Sequence, residues 1–481
     1  MSLGSLLWVL TILLCGAFLV ISWKVKDTAG ESFSNYAIGG KSFPMYLIFF
    51  TQFATIMGVG NFVGHAGKGY SVGLPWMAFI LGEQGSKIIF ALFFAGLAGR
   101  FTYNTFPEMI DDLVARDKVT RALGGILASM IMIAWVGGQG KAFGNIFNIV
   151  TGADPIPIIM FFSAVFILYT TLGGIYSVVW TDLLQGILVV FFGVAFYIYA
   201  FSPVNWSMAE LSMRLSEIGK AELWTMGGGS TLELVTKFVT GCVGILAAQI
   251  YWQRCFSAKD SKTARNGLLY SGIIAIIMVM LTALVGMVIL TLNQGLKPDD
   301  AMPWFMLNYV PTGISAMIFV LILAAGMSSA DSNLNSASIL IVNDLIRPFN
   351  KEATDVQLVK YAKWLTVVIG IFAALAAIYA SSILDLFSKA YAMAGGGLVP
   401  LLLVGLLWKE RSNEDFEMGK KNSKVTPWGA RVGIVAGSVL TQVTALGPNR
   451  VLTALVISAV LIVVVSNFTR NNNKIEEGEA A

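Results

Sequence analysis

The sequence has few charged residues, one histidine and few cysteines. Only 12% of its 481 residues are charged, against about a quarter in a typical soluble domain. A single histidine, His65, excludes metal motifs built from paired histidines and allows at most one Ser/His/Asp arrangement. The three cysteines, Cys15, Cys242 and Cys255, give no disulfide framework. These shortages disfavour an enzyme.

Apolar residues, in contrast, make up 56% of the chain, and the mean hydropathy is +0.74. Apolar stretches close to the roughly 20 residues needed to cross a bilayer recur along almost the whole chain. This pattern predicts an all-α polytopic membrane protein with about thirteen transmembrane helices. The predicted spans are 3–22, 44–72, 75–99, 122–150, 156–174, 178–201, 231–253, 268–292, 313–345, 361–382, 384–408, 427–446 and 450–468.

The positions of Lys and Arg predict the orientation, because these residues stay on the cytoplasmic side of a membrane. With the N-terminus outside and the C-terminus in the cytoplasm, most of the 32 Lys and Arg residues fall in inner loops, Arg254 among them. The first span is followed by Lys24 and Lys26, which favours an uncleaved span over a secretory signal. The polar tail, 469–481, is predicted to be disordered. Nothing in the sequence suggests a nucleic-acid partner.

Charged residues inside a span are costly, so those without a nearby partner on the same helix are candidates for function. Charges three or four residues apart on a helix neutralise each other. Such pairs are Glu83 with Lys87, Glu233 with Lys237, Asp385 with Lys389 and Asp344 with Arg347. Asp182, Lys141 and Asp331 lack a partner of this kind. A buried carboxylate must be protonated, meet a distant cation or hold a metal ion.

The stretch GMSSADSNLNSAS, residues 326–338, places eight polar side chains inside an apolar run. On a helix, Ser328, Asp331, Ser332 and Asn335 share one stripe. Their oxygens are ligands of the kind that suits alkali and alkaline-earth cations. Serines that bond back to their own helix or join neighbouring helices are the alternative. Cation binding is favoured because so many polar groups occur together.

Two spans contain glycines that favour a break near the centre of the membrane. The first span has ATIMGVGNFVGHAGKG, residues 54–69, and the second has Gly241 and Gly244. A discontinuous helix frees carbonyls to bind an ion and amides to face a solute, whereas close helix packing is the alternative. The two broken spans would each begin a set of five spans, 44–201 and 231–408, related by inverted topology.

Four patches resemble the solute:sodium symporter family, and together with the span spacing they cover most of the chain. They are GGIYSVVWTDLLQG (173–186), QRCFSAKDSKTARNG (253–267), AAGMSSADSNLNSASILIVNDL (324–345) and GLLWKERSNEDFEMGKKNSKVTPWGARVGIVAG (405–437). The resemblance implies a LeuT-type 5+5 inverted repeat with one extra helix before it and two after it. The implied organisation is an N-terminal helix and loop (1–43), a first repeat (44–201), an outer loop (202–230), a second repeat (231–408), two C-terminal helices (409–468) and a tail (469–481).

The resemblance also implies ligands for ions. A first sodium site would use the carbonyls of Ala54, Met57 and Ala325 and the hydroxyls of Ser328 and Ser329. A second sodium site would use Asp182, with Asp331, Ser332 and Ser328 as companions. Capping of a helix start is the alternative role for Asp182.

The solute pocket is expected next to these ions, with Asn61, Gln139, Lys141, Thr240 and Gly244 as candidate ligands. Lys141 would meet a solute carboxylate, extend to the membrane surface or pair with Glu83. The resemblance also implies that a sugar is disfavoured, because sugar-transporting members of the family have longer polar side chains at the positions of Gly60 and Asn61.

The sequence therefore predicts a sodium-coupled secondary active symporter, with Na⁺ as the coupling ion, in the lipid bilayer of the cell (inner) membrane. It would import a small polar organic solute, carboxylate-bearing solutes included, by alternating access. Two alternatives stay open: a proton-coupled symporter of the same fold, and a membrane solute sensor. Uptake in sodium-free buffer separates sodium from proton coupling.

Overall fold

The computed structural model describes residues 2–100, 102–228, 230–379, 383–409 and 423–479. Helices account for most of this part of the chain. Nine of the helices found there are long and apolar enough to cross a membrane, and two bent pairs bring the number to as many as eleven. The expected all-α polytopic architecture is confirmed.

Nineteen helices and three π-helical turns follow one another along these residues. The helices are α1 (Leu3–Gly30), α2 (Phe33–Ile38), α3 (Met45–Ile56), α4 (His65–Val72), α5 (Met77–Phe93), α6 (Ala95–Arg100), α7 (Phe106–Ile110), α8 (Lys118–Thr151), α9 (Pro155–Phe201), α10 (Met208–Glu217), α11 (Thr231–Ala247), α12 (Gln249–Ser257), α13 (Ser261–Leu292), α14 (Ala301–Tyr309), α15 (Thr312–Leu340), α16 (Asp355–Tyr379), α17 (Ile383–Leu407), α18 (Pro427–Leu440) and α19 (Arg450–Glu479). The π-helical turns are Gly60–Gly64, Asp111–Ala115 and Ile341–Ile346.

The first predicted break lies where the sequence places it. Helix α3 ends at Ile56, and the chain bends by 51° before it continues into α4. Gly58 lies at the bend, where a Cβ atom would lie 2.2 Å from the Ser329 hydroxyl of α15. The absence of a side chain at this position therefore lets α15 approach the broken segment closely.

The second predicted break is displaced along the chain. The bend of 46° lies between α11 and α12, at Ala248, rather than at Gly241 and Gly244. A Cβ atom at Gly241 would lie 2.6 Å from the carbonyl of Phe79. Gly241 therefore permits close packing of α11 on α5, which is the alternative that the sequence left open.

The predicted spans 156–174 and 178–201 meet at a sharp turn inside α9. Gly174 has φ 49° and ψ −135°, and a Cβ atom there would lie 2.6 Å from the carbonyl of Tyr36. Helix α18 has only 14 residues, fewer than the roughly 20 that cross a bilayer. The count of thirteen spans and the boundaries of the two repeats therefore stay predictions. Helix α19 reaches Glu479, whereas 469–481 were predicted to be disordered; no proline interrupts it.

Helix α15 lies at the centre of the molecule and carries the polar stretch. It packs against α8, α9 and α3, and every side chain from Leu321 to Leu340 is buried. Helices α1 and α19 have far more exposed apolar surface. The hydroxyls, amides and carboxylate of 326–338 thus face other helices of the protein rather than lipid.

Candidate ion and solute sites

The hydrogen-bond ladder of α3 stops at its break. The amide of Met57 makes the last regular helical bond. The amide of Val59 donates instead to Gln139 Oε1 at 3.1 Å, and that of Asn61 donates to the Gly58 carbonyl at 2.9 Å. Carbonyls at the end of a helix need partners from outside it. The break therefore provides carbonyls in a buried, polar setting.

Of the two serines in the first predicted sodium site, Ser329 contacts this region and Ser328 contacts Asp182. The Ser329 hydroxyl donates to the Thr55 carbonyl at 2.7 Å, and the Ser328 hydroxyl donates to Asp182. A hydroxyl that donates its hydrogen still has lone pairs to offer a cation. The remaining members of the predicted site are buried beside them: Ala54, Met57 and Ala325. Their coordination of an ion stays a prediction.

Asp182 lies inside α9 with its side chain fully buried. Its carboxylate accepts hydrogen bonds from Ser328 and, at 2.5 Å, from the hydroxyl of Thr51. One carboxylate oxygen lies 3.5 Å from Nη2 of Arg254. Asp182 therefore joins α3, α12 and α15, whereas a helix cap would bond to the first turn of its own helix.

Arg254 lies in the interior, and its assignment to an inner loop was wrong. It lies on α12 and is 1% exposed. Its Nη2 donates to the hydroxyls of Ser332 at 2.6 Å and Thr55 at 3.2 Å. The sequence signal for this position was the continuation of an apolar pattern on both sides of Gln253 and Arg254. Asp182 thus has a cationic partner after all, on another helix.

Asp331 faces a different group of side chains from those around Asp182. Its Oδ2 accepts a hydrogen bond from the hydroxyl of Tyr169 at 2.7 Å and another from Thr181 at 3.4 Å. Within the described residues, Oδ1 of Asp331 is buried without a hydrogen-bond partner. The hydroxyl oxygen of Ser332, the next residue, lies 2.9 Å from the hydroxyl oxygen of Thr55.

The local charge pairs predicted on single helices have different outcomes. Glu233 and Lys237 pair at 2.8 Å as expected. Asp344 instead accepts a hydrogen bond from Nε of Arg121 at 2.8 Å, so its predicted pairing with Arg347 was wrong. The side chain of Asp385 lies outside the described residues, and so does its pairing with Lys389.

The predicted pair of Glu83 with Lys87 is present as an electrostatic interaction, and other side chains make the direct contacts of both residues. Glu83 Oε2 lies 3.2 Å from His65 Nε2 and accepts a hydrogen bond from Gln84 at 2.9 Å. Lys87 donates to Gln84 Oε1 at 2.5 Å. His65 is buried against Glu83 and accepts a hydrogen bond from Trp76. The contact between α4 and α5 thus gives Glu83 a second partner beside Lys87.

Two cavities adjoin the break in the first span. The larger has a volume of about 200 Å³, and the smaller, of about 40 Å³, shares Gly60 and Gly64 with it. The larger cavity is lined by Asn61, His65, Lys68, Trp76, Phe79, Glu83, Trp135, Ser388 and Tyr391. The smaller is lined by Gln139 and Asp299, among others.

The predicted solute ligands fall into two groups. Asn61 and Gln139 each line one of the cavities. Thr240 does not line either, and its hydroxyl donates to the carbonyl of Thr236 in its own helix at 2.7 Å. Gly244 packs under the ring of Tyr391, where a Cβ atom would lie 2.5 Å from a ring carbon.

Lys141 is near the connection between α13 and α14 rather than at Glu83. Burial raises the pKa of the Asp299 carboxyl, as does the neighbouring carboxylate of Asp300. The ammonium groups of Lys68 and Lys141 oppose this rise in pKa. Lys141 therefore interacts electrostatically with Asp299, and Asp299 lines the smaller cavity.

Comparison with known proteins decides the family. The sodium:solute symporter family model matches residues 36–416. The chain belongs to this family. It is 26% identical over 420 residues to the sodium/sialic acid symporter SiaT of Proteus mirabilis. This alignment covers 83% of this chain and 84% of SiaT. It is 27% identical over 413 residues to high-affinity choline transporter 1 of Drosophila melanogaster. That alignment covers 81% of this chain and 64% of the transporter.

A solved structure shows the same fold. The substrate-bound, outward-open state of a Na⁺-coupled sialic acid symporter superposes with a TM-score of 0.81 at 20% identity. The match covers 96% of this chain and 97% of that symporter. The LeuT-type fold, sodium as the coupling ion and symport rather than catalysis are thereby confirmed.

Proposed function

We propose that a sodium ion bound between the broken α3–α4 segment and α15 completes a solute site beside the break, and that this couples solute import to sodium entry. The ligands of this first site are the carbonyls of Ala54, Met57 and Ala325 and the hydroxyls of Ser328 and Ser329. The observation that carries the proposal is the hydrogen bond of 2.7 Å from Ser329 to the Thr55 carbonyl. It brings a serine hydroxyl of α15 to the unwound end of α3.

An ion in this position links two elements that alternating access would separate. Binding to one conformation only gives the differential affinity that couples the ion to the solute. One sodium ion crossing 100 mV gains about 2.3 kcal/mol, and a tenfold concentration gradient adds about 1.4 kcal/mol. Together these free energies would concentrate a neutral solute several hundredfold.

A second sodium site at Asp182, Asp331 and Ser332, with Ser328 as a companion, is also part of the proposal. Arg254 already lies 3.5 Å from Asp182. When both carboxyl groups are ionised, they and one guanidinium leave a net negative charge, which one monovalent cation would balance. The unpartnered Oδ1 of Asp331 supports a cation near this group.

For the orientation, we propose an outer N-terminus and a cytoplasmic C-terminus in the cell (inner) membrane. The excess of Lys and Arg in the inner loops supports this orientation. Asp299 lines the smaller cavity and lies in the connection before α14, on the predicted outer side. The cavities would thus receive solute from outside.

The solute is a small polar organic compound. The larger cavity, of about 200 Å³, is below the roughly 300–1,000 Å³ of drug-sized sites. The two relatives named above are a transporter of sialic acid, which is an acid, and a transporter of choline, which is a cation. Membership of the family therefore leaves the charge of the solute open.

The double variant Ser328→Ala/Ser329→Ala tests the first sodium site. We expect its apparent affinity for sodium to fall at least about tenfold, because loss of a buried polar partner costs about 1–3 kcal/mol. Sodium titrations of thermal stability and of uptake into proteoliposomes measure this affinity.

Ser338→Ala is the matched control, because the Ser338 hydroxyl donates to the Asn335 carbonyl of its own helix at 2.8 Å. The control should bind sodium as the parent protein does. Unchanged sodium affinity in the double variant would show that the site is assigned wrongly.

A further inference from the structure

A buried carboxylate faces the larger cavity. Glu83 is 4% exposed, and it lines the cavity beside the broken segment. The hydrogen bonds from His65 and Gln84 both go to its Oε2. Among the described residues, Oε1 is therefore the oxygen that can face a solute.

Hydrogen bonds fix the orientation of the His65 ring beside Glu83. The indole of Trp76 can only donate, and it donates to His65 Nδ1 at 3.0 Å. Nδ1 therefore accepts a hydrogen bond, which leaves the Nε2 hydrogen as the donor of the ring. That hydrogen points at Glu83 Oε2, 3.2 Å away. Glu83 Oε2 thus accepts a hydrogen bond from a ring nitrogen, and such a donor favours a carboxylate over the neutral acid.

Aromatic rings form the walls around this carboxylate. Trp76 and Phe79 stack with their ring centroids 4.5 Å apart, and Trp135 and Tyr391 lie 6.0 Å apart. All four side chains line the same cavity. The faces of such rings attract cations, and rings grouped around a cavity recognise ammonium groups, quaternary ones included.

We propose that the solute carries an ammonium group, primary to quaternary, which lies between the Glu83 carboxylate and these aromatic rings. The inference rests on the proposed function and names the class of its solute. A carboxylate alone would meet the negative charge of Glu83 within the cavity. Lys87, on the same helix, does not line the cavity but also acts electrostatically on Glu83.

Lys68 is the cation that shares this cavity with Glu83. Its ammonium lies 5.4 Å from the centroid of the Trp76 ring, so one of these rings already contacts a cation. Lys68 also lies near the carboxylate of Asp299. A zwitterion with its acid group toward Lys68 therefore belongs to the proposed class.

Matched pairs of probes that differ only in the cationic centre test the proposal on the purified full chain. The pairs are choline with 3,3-dimethyl-1-butanol, glycine betaine with 3,3-dimethylbutyrate, and proline with cyclopentanecarboxylate. We expect at least one ammonium compound to raise the melting temperature in sodium buffer. Its carbon analogue should bind at least about tenfold more weakly.

The variant Glu83→Gln keeps the size of the side chain and removes its charge. It should bind the ammonium probe at least about tenfold more weakly and keep the thermal shift given by sodium alone. Glu233→Gln is the control, because Glu233 pairs with Lys237 on α11 and does not line the cavity. If Glu83→Gln does not fold, Phe79→Leu removes one ring and should weaken the same probe.

The outcomes separate this inference from the proposed function. Equal binding of both members of every pair, binding of the carbon analogues alone, or no binding of any ammonium probe overturns the inference. In each of these cases the sodium shift of the parent protein and its loss in Ser328→Ala/Ser329→Ala still support the proposed function. Absence of a sodium shift in the parent protein overturns the proposed function itself.

Discussion

At the scale of single residues, charge balance around Asp182 is the main feature of the interior. Asp182 is fully buried, and Arg254 is 1% exposed. Their closest atoms are 3.5 Å apart, and the Arg254 Nη2 donates to Ser332 at 2.6 Å. Removal of one partner of a buried ion pair commonly costs about 3–5 kcal/mol, because the other charge is left uncompensated. The two residues therefore depend on each other.

We expect Arg254→Gln to lower the melting temperature strongly in sodium-free buffer, since Asp182 then lacks its cation. Sodium should restore more stability to this variant than to the parent protein, because it can neutralise the same carboxylate. Thermal unfolding with and without sodium measures both effects.

The double variant Arg254→Gln/Asp182→Asn should recover part of the lost stability, because it removes the uncompensated charge. Lys237→Gln is the control, since Lys237 forms an exposed pair worth at most about 1 kcal/mol. A double variant that is no more stable than Arg254→Gln would show that the pair does not balance charge.

At the scale of elements, the contact between α15 and the broken segment depends on a missing side chain. A Cβ atom at Gly58 would lie 2.2 Å from the Ser329 hydroxyl oxygen and 2.9 Å from the Ser329 Cβ. A real Cβ at either distance would force α15 away from the break. The same serine is a proposed ligand of the first sodium ion.

Gly58→Ala should therefore weaken sodium binding by about tenfold or more, through displacement of Ser329 rather than through loss of a ligand. Sodium titration of thermal stability is the measurement. Gly85→Ala on α5 is the matched control, because a Cβ atom there would meet open space and alanine favours a helix by about 1 kcal/mol. Full sodium affinity in Gly58→Ala would contradict close contact at the break.

At the scale of the whole molecule, a cluster of charges around Arg121 joins separate elements near the start of α8. Arg121 on α8 lies 2.8 Å from Asp344, 3.4 Å from Glu108 and 3.7 Å from Asp111. These carboxylates lie on three different segments: the turn after α15, α7, and the π-helical turn after α7. The cluster thus connects elements on the predicted cytoplasmic side, which would have to part for that side to open.

Arg121→Gln should loosen the inner side and shift the population toward the inward-facing state, which weakens sodium binding from outside. Hydrogen–deuterium exchange in 105–115 and 341–346 should become faster. Arg214→Gln is the control, because its pair with Glu210 is a local contact within α10. Unchanged exchange in both segments would show that the cluster does not hold the inner side closed.

By itself, the sequence determined the properties that depend on neighbouring residues along the chain. Apolar stretches predicted the membrane helices, and the glycines around Asn61 predicted the first break. The polar stretch 326–338 and the unpaired Asp182 also pointed to the region where the candidate ion ligands meet. Hydropathy and backbone freedom are local properties, so a chain read in order can reveal them.

Only the tertiary structure decided which side chains face one another. It paired Asp182 with Arg254 and Glu83 with His65, and it moved the second break from Gly244 to Ala248. The packing of separate helices sets these contacts, and the spacing along one helix does not encode them. For the same reason, the aromatic cavity around Glu83 became visible only once α4, α5, α8 and α17 were placed together.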